Sequence, residues 1–157
     1  MALSIGHKAP NFKLFNSDKK EVSLSDFLGK NNVVIHFYPV AFTGVCTEQL
    51  CTMRDNIEYY TNLNCVVLGI SIDTVFSLAV FKAQERYSFD LLSDFNKEVI
   101  KAYDVCNENF AFGMRGVAKR AAYVIDKEGT IVYAEETANP GVLPDFAAIK
   151  EAVSLLK

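Results

Sequence analysis

Two short apolar runs separated by an amphipathic segment constrain the fold of this chain more than any other feature. The runs are NVVIHFY (residues 32–38) and CVVLGISI (65–72), and both are rich in β-branched residues. Such runs are typical of strands buried on both faces, which occur in sheets whose crossover helices cover both sides. Residues 43–62, which lie between the runs, have helical periodicity. This order predicts an α/β fold.

The remaining segments fit the same architecture. Residues 12–15 and 21–24 flank the polar turn NSDKK and predict an N-terminal β-hairpin. The C-terminal half predicts a helix over 74–87, a short strand LLSD, a short helix NKEVIKAY, strands over 121–126 and 130–135, and a final helix over 145–156. The chain has 157 residues and no repeat or linker-like stretch. We therefore expect residues 1–157 to form a single domain.

Charge and hydropathy exclude several classes of partner. The net charge is −3 and no block of lysine and arginine stands out, which disfavours nucleic acid and anionic membranes as partners. The apolar runs are too short to cross a bilayer, and the first residues do not resemble a signal peptide. We therefore expect a cytoplasmic protein. In that compartment the four cysteines (46, 51, 65 and 106) are expected to be thiols rather than structural disulfides.

Cys46 begins one face of the helix predicted over residues 43–62. At about 100° per residue, this face is an apolar stripe made of Cys46, Leu50, Met53, Ile57 and Tyr60. The stripe predicts that Cys46 faces the core. Cys51 is turned about 140° away, on the polar side of the helix.

Most cysteines behave as small hydrophobic core residues. The residues around Cys46 favour a reactive thiolate instead. In the first turn of a helix, free backbone N–H groups and the helix dipole stabilise an anion. Thr43 is a natural N-cap residue and its hydroxyl can also hydrogen-bond an oxygen substrate. Pro39 fixes the start of the loop that precedes the helix, and it shields one side of the Cys46 thiolate from water. Together they predict a pocket for a compact oxygen compound.

Cys46 and Cys51 cannot form a disulfide while the helix is intact. Residues five apart rise about 7.5 Å along the axis. A disulfide needs Cα atoms within about 7 Å and Cβ vectors that converge. If Cys51 is a resolving thiol, the first turn must unwind after Cys46 is oxidised. The alternative is that Cys51 is a bystander surface thiol.

The motif P-V-A-F-T-G-V-C (39–46) resembles the P-x3-T-x2-C signature of the peroxiredoxins. The resemblance extends over almost the whole chain, from GHKAPNFKLF near the start to RAAYVIDKEGTIVY near the end. The continuation C-T-E-Q-L-C resembles the bacterioferritin-comigratory-protein/PrxQ branch, in which a second cysteine five residues downstream is the resolving thiol. The loop AFTGVC is also similar to the one-cysteine AhpE branch.

The resemblance implies a thioredoxin-like fold, with a central mixed β-sheet flanked by helices. It also implies a site built from a peroxidatic cysteine, a threonine, a proline and an arginine. Cys46, Thr43 and Pro39 match the first three, and Arg120, at the start of the strand AAYVID, matches the fourth. A guanidinium beside Cys46 would stabilise the thiolate and orient the peroxide. Without the resemblance, Arg120 reads as an ordinary exposed arginine.

Two nearby residues bear on that arginine. Gln49 occupies the position where many relatives have a glutamate that braces it. Glutamine can still accept a hydrogen bond, but it adds no charge. Arg115, in the stretch FGMRGVAK, is a weaker candidate for the same role.

The expected reaction is the reduction of hydrogen peroxide or an organic hydroperoxide. Cys46 becomes a sulfenic acid, Cys51 resolves it as an intrasubunit disulfide, and a thioredoxin-like dithiol restores both thiols. No metal, haem or flavin is required. One alternative is a one-cysteine peroxidase in which Cys51 is silent. A second is a non-enzymatic redox sensor, and a third is that Cys106 is the resolving or intersubunit thiol.

The other notable residues are not expected to take part in catalysis. Cys65 opens a buried strand and is expected to pack in the core, and His36 is expected to be a satisfied interior or interface residue. His7 is too far from His36 in sequence to suggest a site. A lone C-x4-C pair is weak evidence for zinc. Tyr38, Phe42 and Phe112 are expected to line the pocket or a subunit contact, and these aromatics favour a homodimer.

Overall fold

The computed structural model describes residues 3–156. In chain order its strands are β1 (Lys13–Asn16), β2 (Glu21–Ser23), β3 (Asn32–Phe37), β4 (Cys65–Ser71), β5 (Asp90–Ser93), β6 (Cys106–Asn107), β7 (Val117–Ala118), β8 (Ala121–Ile125) and β9 (Ile131–Glu136). Its α-helices are α1 (Gly44–Asp55), α2 (Ile57–Asn62), α3 (Val75–Glu85), α4 (Glu98–Ala102) and α5 (Phe146–Ser154).

The main sheet is mixed, with the strand order β2-β1-β5-β4-β3-β8-β9. The two apolar runs form its centre, since β3 pairs in parallel with β4 along its whole length. Strand β5 continues the parallel part, and β8 pairs with β3 in the antiparallel direction. The predicted N-terminal hairpin is confirmed as β1 and β2, which join the sheet through β5. The predicted α/β fold with a central mixed sheet is confirmed.

Buried side chains cover both faces of this sheet. On β3, Val33, Ile35 and Phe37 pack into one cluster, together with residues of α4 and the N-terminal hairpin. Val34 and Tyr38 point to the opposite face, because side chains alternate along a strand. That opposite cluster contains the buried faces of α1, α2, α3 and α5. Cys46 belongs to it, so the first turn of α1 lies directly against the sheet.

The helix predicted over 43–62 is interrupted, which corrects the sequence-based boundary. Asn56 has φ −115° and ψ 15°, which separates α1 from α2. Its side-chain amide donates to the carbonyl oxygen of Thr52. This bond satisfies one of the backbone acceptors at the C-terminal end of α1. The apolar stripe continues across the break, since Tyr60 is fully buried. The periodicity therefore predicted the buried face correctly but gave no sign of the break.

The other boundaries lie within about two residues of the predictions, and two helices begin at side-chain caps. Thr74 accepts a hydrogen bond from the backbone of Ser77 at the start of α3, and Asp145 accepts one from Ala148 at the start of α5. The β6–β7 pair was not predicted. It is an antiparallel ribbon of two residues on each strand, too short to show an alternating pattern.

None of the helices in residues 3–156 has both the length and the apolar character needed to span a membrane.

Candidate active site

The carboxyl end of β3 leads into a loop that is tied to the neighbouring strand. The buried Pro39 follows β3, and the backbone N–H of Ala41 donates to Asp73 Oδ2 at 2.9 Å. The same carboxylate oxygen accepts from the Ser71 hydroxyl at 2.6 Å, at the end of β4. Asp73 therefore anchors the loop to β4. Asp73 was not predicted as a site residue, although an aspartate two positions after a buried strand is a signal that could have pointed to it.

Cys46 lies in the first turn of α1 and is only 1% exposed. Leu50 and Met53, on the same face, are fully buried or nearly so. Ile57 is half-buried. The prediction that Cys46 starts a core-facing stripe is therefore confirmed. As a result, the thiol is shielded from bulk water in this form of the protein.

Arg120 lies directly against the sulfur of Cys46, although the two residues are 74 positions apart. Its Nη1 and Nη2 groups each donate to Cys46 Sγ at 3.3 Å. Its Nε donates to the carbonyl oxygen of Pro140 at 2.9 Å. The side chain is 3% exposed, so the reading of Arg120 as an ordinary surface arginine is wrong. Charge-assisted hydrogen bonds of this kind stabilise an anionic sulfur.

Gln49 holds the arginine from the other side. It is fully buried, and its Oε1 accepts from Arg120 Nη1 at 2.8 Å. Its Nε2 lies 2.8 Å from His36 Nδ1 and 3.4 Å from the carbonyl oxygen of Phe37. The arginine is thus supported by a neutral amide. His36 is interior as predicted, but it is not fully satisfied, since its Nε2 has no hydrogen-bond partner among residues 3–156. Burial lowers its pKa to about 3.

Thr43 is the N-cap residue of α1, with extended backbone dihedral angles, but its side chain makes no capping hydrogen bond. The hydroxyl donates instead to the carbonyl oxygen of Val40 at 2.8 Å. The expected position is correct and the expected capping bond is wrong. The hydroxyl turns back into the loop, and its oxygen can still accept a hydrogen bond from a ligand.

An open cleft of about 560 Å³ leads to Arg120. Its walls are the first turn of α1, the segment around Phe110 and the turn at Pro140. Thr43 is one of the lining residues, and the walls are mostly apolar, with Val45, Phe110 and Pro140 contributing. A small oxygen compound with an apolar substituent has room in this cleft.

Cys51 is half-buried against the end of α3, which differs from the expected polar surface of the helix. Its sulfur lies 3.5 Å from Glu85 Oε1 and 3.5 Å from the Tyr87 hydroxyl. Tyr87 also donates to the carbonyl oxygen of Thr47 at 3.3 Å. All four cysteines are free. Cys51 is therefore in contact with Tyr87, a side chain that also bonds to the first turn of α1.

The other two cysteines lie in different environments. Cys65 is buried in the core, as predicted, and burial raises its pKa to about 12. Cys106 is half-buried on β6 and donates to Glu108 Oε1 at 3.2 Å. Burial, followed by the nearby carboxylate, raises its pKa. Both thiols are thus held in the neutral form, which is the less nucleophilic one.

The remaining candidates differ in their exposure. Arg115 is exposed, and its carbonyl oxygen accepts from Lys97. Tyr38 is fully buried, so it is a core residue and not a subunit contact. Phe42 is 47% exposed and Phe112 is 98% exposed. Within residues 3–156 no three metal-ligating side chains come together in a way that suits a metal ion.

Comparisons of the sequence and of the structure with known proteins give relatives of one kind. The sequence model of the AhpC/TSA family matches residues 5–134. Alkyl hydroperoxide reductase E of Mycobacterium tuberculosis is 33% identical over 156 residues, which cover 98% of each chain. A crystal structure of a PrxQ variant from Xylella fastidiosa matches with a TM-score of 0.84 and 26% identity, over 99% of this chain and 96% of that one. The peroxidoxin BcpB of M. tuberculosis matches with a TM-score of 0.82 and 26% identity, over 97% and 95%.

Proposed function

The chain belongs to the AhpC/TSA family, the peroxiredoxins of thioredoxin-like fold, and from this premise we propose that Cys46 is its peroxidatic cysteine. The protein is a peroxiredoxin of the bacterioferritin-comigratory-protein/PrxQ type and a thiol-dependent peroxidase, which implies a peroxide substrate and a dithiol reductant. The observation that carries the assignment of Cys46 is the contact between its sulfur and both terminal nitrogens of Arg120.

The proposed first step is attack of the Cys46 thiolate on the terminal oxygen of a peroxide. The S–O bond forms as the O–O bond breaks, so the sulfur loses two electrons and becomes a sulfenic acid. The other oxygen leaves with the electron pair and takes up a proton to become water or an alcohol. Arg120 stabilises the charge that develops on that departing oxygen. It does so without rearrangement, because Gln49 and Pro140 already fix the guanidinium.

Thr43 and Pro39 complete the proposed site. Thr43 is one of the residues that line the cleft leading to Arg120, and in the proposal its hydroxyl oxygen accepts the hydrogen bond from the peroxide O–H. Pro39 is buried at the start of the loop, and its ring fixes the backbone angle φ there. The two residues orient the substrate and keep water out.

We place Cys51 as the resolving thiol. Its attack on the sulfenic acid forms a disulfide and releases water. The geometry of α1 requires the first turn to unwind, since the side chains of Cys46 and Cys51 diverge on the intact helix. Cys51 must also leave its contacts with Glu85 and Tyr87. A thioredoxin-like dithiol then reduces the disulfide by exchange.

Replacement of Cys51 by serine tests this assignment. After one equivalent of peroxide, the wild-type protein is expected to lose two hydrogens and to link residues 46 and 51. The Cys51→Ser variant is expected to retain a sulfenic acid on Cys46. Disulfide mapping by mass spectrometry is the measurement, and Cys106→Ser, at the other half-buried thiol, is the matched control that keeps the 46–51 link.

The same experiment separates the rival functions. The likeness to alkyl hydroperoxide reductase E favours a one-cysteine peroxidase as the second candidate. That candidate predicts a wild-type sulfenate with no link to Cys51 and continued turnover with a small thiol. A link that involves Cys106 would transfer the resolving role to that residue. A single round of oxidation with no turnover by any dithiol would identify a redox sensor.

Tyr87→Phe is expected to speed disulfide formation about fivefold and to leave the reaction with peroxide unchanged. The variant loses one hydrogen bond to the first turn of α1, and a neutral hydrogen bond contributes about 1 kcal/mol. Stopped-flow fluorescence or quenched-flow mass spectrometry resolves the two steps. Tyr59→Phe is the matched control, since its hydroxyl also donates to a backbone carbonyl oxygen, that of Lys150 in α5. Equal acceleration in both variants would show that the hydrogen bond from Tyr87 to the first turn of α1 does not slow the unwinding of that turn.

The proposal also includes location and assembly. We place the protein in the cytoplasm, where dithiol reductants are kept reduced. Phe42 and Phe112 are exposed, and each is adjacent in sequence to a residue that lines the cleft. Aromatic side chains are enriched at protein interfaces. They support a homodimer, which analytical ultracentrifugation of the reduced protein would test.

A further inference from the structure

His36 is a buried titratable side chain that the proposed peroxidase cycle does not use. It lies in β3 at the centre of the sheet and is fully buried. Its register partners are Gly69 on β4 and Ala122 on β8, the two smallest residue types, which leave room for an imidazole. The Phe146 ring of α5 stacks on it at 6.1 Å between centroids. An apolar side chain of similar size would fit the same surroundings.

The two ring nitrogens of His36 have very different environments. Nδ1 lies 2.8 Å from the amide nitrogen of Gln49. Nε2 has no hydrogen-bond partner among residues 3–156. A buried N–H without a partner destabilises the folded state. The polar ring is therefore not explained by stability, and its single hydrogen bond to Gln49 is the interaction that an apolar residue would lose.

The direction of that hydrogen bond follows from Arg120. A guanidinium has only donors, so the end of the Gln49 amide that contacts Arg120 at 2.8 Å must be the oxygen. The amide NH2 group then points to His36 and donates to Nδ1. His36 is consequently neutral, with its proton on Nε2. Burial lowers its pKa to about 3, which agrees with the neutral form.

An amide side chain is nearly symmetric in shape, so its partners alone decide which end faces which way. If Nδ1 carried the proton, the NH2 end of Gln49 would be repelled toward Arg120, and two donors would face each other. The unprotonated Nδ1, at 2.8 Å, is the nearer of two acceptors that oppose this reversal, the other being the carbonyl oxygen of Phe37 at 3.4 Å. The chain of contacts runs from His36 through Gln49 and Arg120 to the sulfur of Cys46.

We propose that His36 is a positioning residue for the peroxidase site, whose unprotonated Nδ1 fixes the orientation of the Gln49 amide and thereby the guanidinium of Arg120 at Cys46. This inference rests on the proposed function of Cys46. It assigns to a strand residue, which contacts neither the sulfur nor the cleft, a part in holding the arginine in place.

The test compares His36→Phe in two backgrounds. Phenylalanine keeps an aromatic ring and removes the acceptor. With Gln49 present, His36→Phe is expected to lower the rate constant of Cys46 with peroxide about tenfold. In the Gln49→Glu background the same change is expected to have an effect of less than about twofold, because a carboxylate presents an oxygen to Arg120 whichever way it turns. Coupling of this kind is what a double-mutant cycle measures.

A merely structural role for His36 predicts a different pattern. Loss of packing would lower the rate by the same factor in both backgrounds, and that result would overturn the proposal. An absence of any effect with Gln49 present would overturn it as well. The measurement is the single-turnover rate with hydrogen peroxide, taken on the reduced protein without a recycling dithiol.

A second measurement does not depend on any variant folding. Nitrogen NMR of the wild-type protein labelled at histidine distinguishes the tautomers of a neutral imidazole. The proposal expects a protonated Nε2 and an unprotonated Nδ1 for His36 at neutral pH. A proton on Nδ1 would overturn it, even in a protein that reduces peroxide normally. If the wild-type protein did not consume peroxide but showed the expected tautomer, the proposed peroxidase function would be contradicted. The assigned hydrogen bond between Gln49 and His36 would still be supported.

Discussion

Replacement of Cys46 by serine is expected to reduce peroxide consumption by at least about a thousandfold, to the level of the buffer. A serine hydroxyl is almost entirely protonated at neutral pH, and it is a far weaker nucleophile toward an O–O bond than a thiolate. The side chains differ by one atom, so the fold and the Arg120 network are expected to persist. Peroxide consumption with dithiothreitol as the reductant is the direct assay.

Two matched variants complete the Cys46 experiment. Cys106→Ser changes a half-buried thiol that contacts a carboxylate, and it is expected to leave peroxide consumption unchanged. Cys51→Ser is expected to keep the first oxidation of Cys46 while it blocks the disulfide. Turnover retained by Cys46→Ser would remove the proposed peroxidatic role of that residue. Turnover lost in Cys106→Ser would show that this thiol belongs to the cycle.

Arg120→Lys is expected to lower the rate constant of Cys46 with peroxide about a hundredfold. Lysine keeps the positive charge but has one nitrogen on a flexible stem. It cannot donate at the same time to the sulfur, to Gln49 and to the Pro140 carbonyl oxygen, as the guanidinium does. Fixed geometry, and not charge alone, is therefore the property that this substitution removes.

Arg115→Lys is the control for that prediction. Arg115 is exposed and belongs to the same region of sequence, and its replacement is expected to change the rate by less than about twofold. Stopped-flow measurement of the reduced proteins with hydrogen peroxide gives both values. The rate of alkylation of Cys46 by iodoacetamide is an independent readout, expected to fall in Arg120→Lys because the thiolate loses its partner. Equal rates for the two variants would contradict the proposed role of Arg120.

The central sheet and its covering helices were predictable because their signals are local. The apolar runs that became β3 and β4 need no partner to be recognised, and the stripe on α1 correctly gave the buried side of Cys46. The break at Asn56 was not predictable from periodicity, since Tyr60 remains in phase across it. The β6–β7 ribbon is too short to carry a pattern.

The candidate site was harder to predict from local sequence patterns, because its residues are brought together by long-range contacts. Arg120 precedes Ala121, which pairs with Phe37 at the carboxyl end of β3. This register brings the arginine beside the cysteine loop, and no local feature of the sequence predicts it. Only the family resemblance singled out Arg120. The hydrogen bond between Gln49 and His36 depends on the spacing between α1 and β3, and the direction of the Thr43 hydroxyl depends on the loop conformation.

The burial of both thiols has a consequence for how the protein selects its reaction partners. In the folded form, Cys46 is 1% exposed and Cys51 is half covered by the end of α3. The cleft has room for a molecule the size of a peroxide, whereas Cys46 is too deeply buried for direct contact with the sulfur of another protein. In the proposed cycle, the opening of the first turn would bring both sulfur atoms to the surface, where a macromolecule could reach them. On that proposal, the same helix turn would restrict Cys46 to small oxidants before the reaction and open the disulfide to a large reductant after it.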